Sequence, residues 1–403
     1  MQFPAVYSGI LTTRMKQFLL LALLPFAPAS AAEEGFKDLF NGKDLSGWVP
    51  KNVAADTFSV KDGMIVTTGL PIGFLSTERM YENFIMELDW RHMKEAGNSG
   101  VFIWGEGLPA PGVPYARGIE VQILDLGYAK NKGANEWFTT HGDIFAIWGA
   151  KMTPTGKVSA NGARSFPMKE TTLPSPQWNH YRIECNNGEI KLSVNGELTT
   201  TGKDCNPKKG FLCLESEGSE AHFKNIRIKE LPSTGASEAQ TARGYEGFKQ
   251  LFNGKDMGGW STDKPQAWSS DGVGYTAAAG EEFRGSKLVS DGEYGDCVLC
   301  VDWRSPDKKA GGKAAVSVRG LSIPIGGEAG SGAAQPSEKA DLKPGEWNRF
   351  FITVQGKSAT VELNEKIVAK DIPLTDLPAK GKIAFEHAGD GVEFTNVFLK
   401  PLN

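Results

Sequence analysis

Apolar and polar residues alternate with a period of two over several short segments of the chain, and no long segment has a helical period. Segments 84–90, 181–185 and 190–194 alternate in this way. The dipeptides Asn187-Gly188 and Asn195-Gly196 are typical of the tight turns of β-hairpins. Short strands separated by Gly-containing turns predict an all-β protein in which one antiparallel sheet packs on another.

The segment 118–125 reads Gly-Ile-Glu-Val-Gln-Ile-Leu-Asp and predicts a strand with two different faces. Alternation sends the three β-branched residues into a core and places Glu120 and Gln122 together on the opposite face. Regular pleating would send Asp125 to the core face, but one bulge residue near Leu124 would return it beside Glu120. The segment therefore predicts two carboxylates with an amide between them, although a strand with one solvated face has the same pattern.

A long internal repeat organises the chain. Residues 88–91 recur as 301–304 at an offset of 213, and residues 177–183 recur as 346–352 at an offset of 169. A period near 200 residues indicates a duplicated domain and not a solenoid. Because the offset shortens between the two anchors, the second copy lacks about 44 residues. No counterpart of the Glu120 strand is recognisable in the second copy, which predicts that this copy is not catalytic.

The repeat and the composition of the connecting segment define the predicted domains. The first spans residues 33–231 and the second spans 245–403, and the small polar residues of 232–244 predict a linker. Residues 1–32 have the pattern of a signal peptide, with Arg14 before an apolar run and a small-residue cleavage site. We therefore expect a periplasmic or extracellular protein whose mature chain begins near Ala32.

Composition narrows the function classes without selecting one. The chain has 403 residues, 23% of them charged, and a net charge of -4, so no basic surplus indicates a nucleic-acid or membrane partner. Its 10 Trp and 48 Gly residues suit an all-β protein that binds sugars. The five cysteines have no metal-binding spacing. Turn carboxylates and carbonyls suit Ca²⁺, but no spacing specifies a site for a divalent cation, and no other cofactor is indicated.

Several short motifs together resemble the 3-keto-disaccharide hydrolase family. They are Leu-Phe-Asn-Gly-Lys-Asp at 39–44, Gly-Asn-Ser-Gly-Val-Phe at 97–102, the Glu120 strand, Gln-Trp-Asn at 177–179, Leu-Ser-Val-Asn-Gly at 192–196 and the closing segment 215–228. The resemblance implies a concanavalin- or glucanase-like jelly roll in each copy. It also implies cleavage of 3-keto-glycosides, by net hydrolysis or by 1,2-elimination followed by hydration.

Such a reaction needs a base, an acid and a group that stabilises an oxyanion. The ketone at C3 acidifies the C2 proton, and the resulting enolate can expel the C1 substituent. We expect Glu120 to be the base, Asp125 the acid or its partner, and Gln122 a positioning residue. His141 lies in a polar turn and is a second candidate for base or oxyanion donor, although a histidine on a surface loop has the same pattern.

Further side chains are candidates for binding the sugar. Arg91 could hold sugar oxygens, although a solvated charged face explains it as well. Asn98 precedes a strand in a Gly-rich turn, and Tyr128 and Trp148 offer rings for stacking. Alternation places Trp104 on the same face as Phe102, which leaves a core or a binding role open.

Two other functions fit the same residues. Retaining glycoside hydrolases on this fold carry Glu-x-Asp-x-x-Glu, and residues 120–125 show Glu-x-Gln-x-x-Asp at that spacing. The missing methylene and the amide depart from that pattern. The second alternative is a carbohydrate-binding protein without catalysis. The expected partners are a saccharide and an oxidoreductase that makes the keto-sugar.

Overall fold

This computed structural model describes residues 34–128, 138, 141–305, 314–325, 340–387, 389 and 391–402. The predicted signal peptide at 1–32 lies outside these residues. Within them the regular secondary structure is almost entirely β-strand, with short 3-10 helices at Glu238–Gln240, Pro265–Ala267 and Glu281–Phe283. No helix among the described residues has the length and apolar character needed to cross a bilayer.

The first half of the chain forms two antiparallel sheets. Its strands are β1 (Lys37–Asp38), β2 (Trp48–Lys51), β3 (Phe58–Lys61), β4 (Met64–Thr67), β5 (Gly73–Thr77), β6 (Phe84–His92), β7 (Asn98–Gly105), β8 (Gly118–Leu124), β9 (Ile144–Ile147), β10 (Lys151–Pro154), β11 (Lys157–Val158), β12 (Arg164–Phe166), β13 (Asn179–Asn186), β14 (Glu189–Val194), β15 (Glu197–Asn206), β16 (Phe211–Ser216) and β17 (Ala221–Glu230). The front sheet has the order β11-β12-β9-β8-β7-β16-β5-β2. The back sheet has the order β10-β15-β14-β13-β6-β17-β4-β3, with β1 on β17.

The second half repeats this arrangement with fewer strands among the described residues. They are β18 (Lys249–Gln250), β19 (Trp260–Thr262), β20 (Trp268–Ser270), β21 (Gly274–Ala277), β22 (Lys287–Ser290), β23 (Cys297–Arg304), β24 (Ala315–Val318), β25 (Leu321–Pro324), β26 (Asn348–Gln355), β27 (Ser358–Leu363), β28 (Lys366–Pro373), β29 (Ile383–Glu386) and β30 (Val392–Pro401). Its front sheet has the order β19-β22-β29-β24-β25, and its back sheet β20-β21-β30-β23-β26-β27-β28, with β18 on β30. The predicted pair of tandem jelly-roll sandwiches is therefore confirmed.

Each half has its own core, and alternation along the strands explains it. In β6, Phe84, Met86, Leu88 and Trp90 enter the core of the first half. Ile119, Val121 and Ile123 of β8 join the same core, as their spacing predicts. Burying one such side chain stabilises the fold by roughly 1.5–3 kcal/mol, so these faces fix the register of the strands. A separate core of the second half lies between β-strands of its own two sheets.

The front sheet of the second half contains a strand where we expected none. β25 pairs with β24 through Ser317 and Ser322, just as β8 pairs with β7 through Phe102 and Glu120. Ser322 therefore stands at the register position of Glu120. The expectation that the second copy lacks this strand is wrong, because its short apolar sequence keeps the buried face while the polar face has changed. Among the described residues, β9 to β12 have no counterparts in the second half.

The two halves meet through a loop that precedes β8, residues 108–117, which we call the contact loop. Leu108 packs with Phe398 in a small apolar cluster. At the turn of the loop, a Cβ on Gly112 would lie 2.0 Å from Cγ of Trp347 in the second half. Because this glycine has a φ of 75°, both its backbone conformation and the close approach of Trp347 exclude a larger residue.

Buried polar groups of the second half hold the contact loop. Arg349 forms an ion pair with Asp302 at 2.6 Å and donates to the carbonyl of Pro109 at 2.7 Å. Asn396 donates to the carbonyl of Ala110 at 3.0 Å and to Asp302 at 2.6 Å. All three side chains of the second half are buried, so their hydrogen bonds are strong determinants of how the loop is placed.

Candidate active site

Two buried glutamates converge on the outer face of the front sheet of the first half. Glu120 projects from β8 and Glu215 from β16, and β7 lies between these strands. A Cβ added to Gly100 of β7 would lie 2.9 Å from Oε1 of Glu120 and 2.9 Å from Oε2 of Glu215. The two carboxyl oxygens are therefore no farther apart than twice that distance. Gly100 provides the space in which they meet.

A third carboxyl group completes the cluster. Glu217 follows β16 and lines the same cavity as Glu120 and Glu215, and its carboxyl group interacts with that of Glu215. The hydroxyl of Tyr115, from the contact loop, donates to Oε1 of Glu217 at 3.2 Å. The buried Oε2 of Glu215 has no hydrogen-bond partner among the described residues. This oxygen is a buried acceptor or donor that a bound ligand can satisfy.

One arginine is positioned beside the carboxyl groups. Arg164 of β12 lies over the ring of Phe145 at 3.5 Å and is 3.7 Å from the buried carboxylate of Asp143. Burial lowers the pKa of Arg164, whereas the negative charges of Asp143 and Glu120 raise it. The net effect lowers the pKa of Arg164, but an arginine in a protein stays protonated at neutral pH, so its guanidinium group is a fixed positive charge at the wall of the site.

Burial sets the protonation of the cluster. Desolvation, together with the negative charge of Glu217, raises the pKa of Glu120 to about 8, although Arg164 opposes this shift. Burial also raises the pKa of Glu215 well above its usual range. The pKa of Glu217 is raised as well, because burial outweighs the hydrogen bonds from Glu215 and Tyr115 that stabilise its carboxylate. Burial therefore favours the protonated forms of Glu120 and Glu215, and Glu217 has the hydrogen bonds that best stabilise a carboxylate.

The cluster lines a cavity of about 760 Å³ that we call the site cavity. Gln122 lies at its floor and donates to Oδ1 of Asn98 at 2.9 Å. Tyr128 and Trp148 form aromatic walls. The structure thus brings together Glu120, Gln122 and these three predicted binding residues, and a cavity of this size and mixed polarity fits a small saccharide.

Asp125 does not join Glu120. The pairing of β7 with β8 is regular from Asn98–Leu124 to Ile103–Ile119, without the bulge that the sequence analysis expected. The Asp125 carboxylate instead accepts backbone N–H groups of Ala96, Gly127 and Ser175 at 2.8–2.9 Å. Burial alone would raise the pKa of Asp125, but these hydrogen bonds lower it. Asp125 does not line the site cavity, and its hydrogen bonds hold the neighbouring loops in place.

Two other candidates lie away from the site cavity. His141 is buried, and desolvation lowers its pKa to about 4; it does not line the site cavity, and it is not the surface histidine of the alternative interpretation. Arg91 lies on the outer face of the back sheet, where it stacks over Trp178 at 4.5 Å and bonds to His222 at 3.3 Å. The charged-face explanation of Arg91 therefore fits its position.

Trp104 belongs to the core and not to the site. β7 has one extra residue opposite Phe211–Cys213 of β16, and Trp104 has a φ of 55° at this bulge. The bulge turns Trp104 away from the face of Phe102 and into the core between the sheets. Its indole N–H donates to the carbonyl of Glu82 at 2.8 Å. The expected shared face is wrong because the bulge reverses the alternation.

Four residues of the site were not predicted from the sequence: Glu215, Glu217, Tyr115 and Arg164. A signal existed for Glu215, because Leu212 and Leu214 enter the core between the sheets and alternation then places Cys213 and Glu215 on the outer face. No local pattern identifies Tyr115 or Arg164, since a loop and an edge strand bring them to the site. Among the described residues, no group of His, Cys, Asp and Glu side chains is arranged to hold a metal ion.

Comparison with known proteins gives the chain a family. Residues 35–229 and 247–400 both match the 3-keto-alpha-glucoside-1,2-lyase-like domain. A 3-keto-disaccharide hydrolase from Bacteroides thetaiotaomicron is 22% identical over an alignment of 231 residues, which covers 49% of this chain and 79% of that protein.

The solved structures that resemble the chain cover about half of it. A Parabacteroides distasonis protein provisionally assigned as a glycosyl hydrolase is 25% identical, covers 49% of this chain and 95% of its own, and has a TM-score of 0.39. A β-glucanase from Bacillus licheniformis is 15% identical over 49% of this chain and 97% of its own, with a TM-score of 0.30.

Proposed function

Because the chain belongs to the family of 3-keto-alpha-glucoside-1,2-lyase-like domains, we propose that its first half cleaves 3-keto-glycosides at the cluster of Glu120, Glu215 and Glu217. The observation that carries the proposal is the convergence of three carboxyl groups in one cavity with different hydrogen-bond environments. Such a difference separates an acid from a base within a single site. The similar Bacteroides protein is a 3-keto-disaccharide hydrolase, which supports a saccharide as the substrate.

Glu217 is the base in this proposal. Its carboxylate takes the proton from C2 of the sugar, and the electron pair of the C2–H bond forms an enolate with the C3 carbonyl. Tyr115 donates to Glu217 and fixes the orientation of the carboxylate. The positive charge of Arg164 stabilises the oxyanion that develops at C3. This assignment replaces the expected role of Glu120 as base.

Glu120 is the acid. The enolate re-forms the C3 carbonyl, a C1–C2 double bond forms, and the bond from C1 to the leaving oxygen breaks. Glu120 donates its proton to that oxygen, which its pKa of about 8 permits at neutral pH. Water then adds to C1 as Glu120 takes back a proton and Glu217 returns one to C2. The sum of both stages is hydrolysis, and the cluster regains its original protonation.

The remaining assignments follow from the same site. Gln122 and Asn98 hold sugar hydroxyl groups, and Tyr128 and Trp148 contact the C–H faces of the ring. The second half, residues 245–403, has no catalytic role. An oxidoreductase must supply the ketone, since the cluster removes a C2 proton only when C3 is oxidised. Residues 1–32 are a signal peptide, and N-terminal sequencing of the exported protein is expected to find Ala32 or Glu33.

A Glu217→Gln variant tests the function. With a 3-keto-α-glucoside in D₂O, the wild-type protein is expected to release the aglycone and to place deuterium at C2 of the keto-sugar. Glu217→Gln is expected to abolish both, while Glu197→Gln, which changes an exposed glutamate paired with Lys169, leaves both unchanged. Aglycone release without deuterium at C2 would contradict proton abstraction there. Unchanged release by Glu217→Gln would remove this residue from the mechanism.

A further inference from the structure

A second cavity lies between the two halves of the chain. It has a volume of about 490 Å³, and we call it the inter-half cleft. The first half contributes Arg117 and Trp148 to its lining, and the second half contributes Arg349. The connecting segment adds Arg243, and Tyr245 at the start of the second half also lines the cleft. The cleft therefore exists only when both halves are present in one chain.

Trp148 is common to the inter-half cleft and the site cavity. Its side chain is 48% exposed and stacks on Tyr115 with ring centres 6.2 Å apart and planes 6° apart. The residue has a φ of 52°, a conformation that costs free energy for a side chain of this size. Because Tyr115 lines the site cavity as well, the stacked pair forms the boundary between the two cavities. A linear ligand that leaves the site cavity can pass over this exposed indole.

The chemistry of the inter-half cleft suits a neutral sugar. Arg117 is held by Glu106 at 2.9 Å, Arg243 is held by Glu365 at 2.7 Å, and Arg349 is held by its buried aspartate. Each guanidinium group thus has a carboxylate partner, so the cleft offers oriented N–H donors without a large net charge. Oriented donors beside exposed aromatic rings bind the hydroxyl groups and C–H faces of saccharides.

The inter-half cleft is built into the fold. The buried hydrogen bonds from Arg349 and Asn396 to the contact loop fix the halves against each other at the base of the cleft. The same loop carries Tyr115 toward the site cavity and Arg117 toward the cleft. A preformed cavity binds a ligand without the cost of ordering its walls.

We propose that the inter-half cleft is a distal subsite for the unoxidised sugar units of a gluco-oligosaccharide whose 3-keto unit occupies the site cavity. This inference rests on the proposed function for the identity of the sugar in the first cavity. It extends that function by making the substrate longer than a disaccharide. It also gives the second half a role, because Arg349 and its neighbours form one wall of the subsite.

Calorimetry with maltose, maltotriose, maltotetraose and maltopentaose tests the subsite, because the distal units carry no ketone. The wild-type chain is expected to bind maltotetraose at least about tenfold more tightly than maltose. Arg243→Ala is expected to reduce this gain to less than about twofold. The matched control is Arg79→Ala, since Arg79 also pairs with a glutamate, at 2.6 Å, and lies over a tyrosine ring, but lies outside both cavities. It is expected to keep the full gain.

The outcomes separate the subsite from the proposed function. Equal affinity for all four sugars, no binding of any of them, or the same gain in Arg243→Ala and Arg79→Ala would overturn the subsite. If affinity rises with length but no 3-keto-glycoside is cleaved, the subsite stands and the function fails. If a short 3-keto-glucoside is cleaved and added units change neither affinity nor kcat/KM, the function stands and the subsite fails.

Discussion

The same three positions on the back sheet have different surroundings in the two halves. In the first half, Asp89 accepts from His180 at 2.8 Å and from Asn225 at 2.6 Å, and the group is partly exposed. In the second half, the repeat places a buried arginine and asparagine around Asp302, and the contact loop covers them. One copy of a duplicated face has therefore become an interface, and the other has remained a surface.

The front sheets of the two halves also differ at matching positions, and here it is the first half that carries the candidate site. Where the first half has Gly100 and Glu120, the register of the second half gives Ala315 and Ser322. Glu386 stands at the position of Glu215, but it is held by Lys287 at 3.0 Å and by Ser317 at 2.8 Å. The retained glutamate is thus neutralised by a local ion pair. The comparison indicates two differences between the candidate site and the matching face of the second half. The site has a glycine between its carboxyl groups, and among the described residues Glu215 has no lysine partner such as the one that pairs with Glu386.

The buried ion pair between Asp302 and Arg349 at the interface of the two halves predicts the largest effect on stability. Asp302→Ala leaves Arg349 buried without its counter-charge, and we expect the free energy of unfolding to fall by about 3–5 kcal/mol. Asp89→Ala, at the matching exposed position, is expected to cost less than about 1 kcal/mol. Urea unfolding of the two variants measures both. Equal losses would mean that burial against the contact loop does not distinguish the halves.

Gly100 offers a direct way to make the first half resemble the second. A Cβ at this position would approach two carboxyl oxygens at 2.9 Å, so Gly100→Ala is expected to displace them and lower kcat by about 100-fold. The ends of the glutamate side chains can move, so the melting temperature should change little. Ala315→Gly is the matched control and is expected to leave kcat unchanged. A fully active Gly100→Ala protein would show that the space at Gly100 is not needed.

The pH dependence of the cluster gives a smaller effect. Above about pH 8 Glu120 loses its proton, so kcat/KM for a 3-keto-glycoside is expected to fall by about tenfold per pH unit. Below the ordinary pKa of 4.5, the Glu120 side chain is protonated in both the folded and the unfolded state. Between the ordinary pKa of 4.5 and about 8, only the folded state keeps it, so the wild-type chain loses stability as pH rises.

A stability comparison with Glu120→Gln checks the same pKa without any substrate. Relative to the wild-type chain, the melting temperature of the variant should rise by a few degrees between pH 5 and pH 8 and level off above pH 8. A constant difference for Glu120→Gln would contradict the raised pKa.

Much of the fold could be predicted from the sequence because alternation and the repeat both report burial. The apolar residues of β6 and β8 enter the core as their spacing predicts, and the repeated motifs place the strands of both halves. The bulge at Trp104 was not predictable in this way, since alternation assumes a regular pleat. The short β25 was missed because only its buried residues, Leu321 and Ile323, resemble those of β8.

Less of the candidate site could be predicted, because it depends on contacts between distant segments. Glu120 and Gln122 could be identified from one strand, but the partner of Glu120 comes from β16, 95 positions along the chain. Asp125 was chosen by sequence distance, yet its oxygens are occupied by backbone N–H groups of two loops. Sequence proximity therefore suggested the wrong neighbour for a correctly chosen strand.

The central claim is that one half of a duplicated scaffold is catalytic and that its glutamates, not those of the other half, perform the cleavage. The most direct test measures aglycone release from a 3-keto-α-glucoside by Glu120→Gln and Glu386→Gln. We expect Glu120→Gln to lower kcat/KM by at least about 1,000-fold, because it removes the acid, and Glu386→Gln to retain wild-type turnover. Wild-type turnover by Glu120→Gln, or equal losses in both variants, would contradict the account.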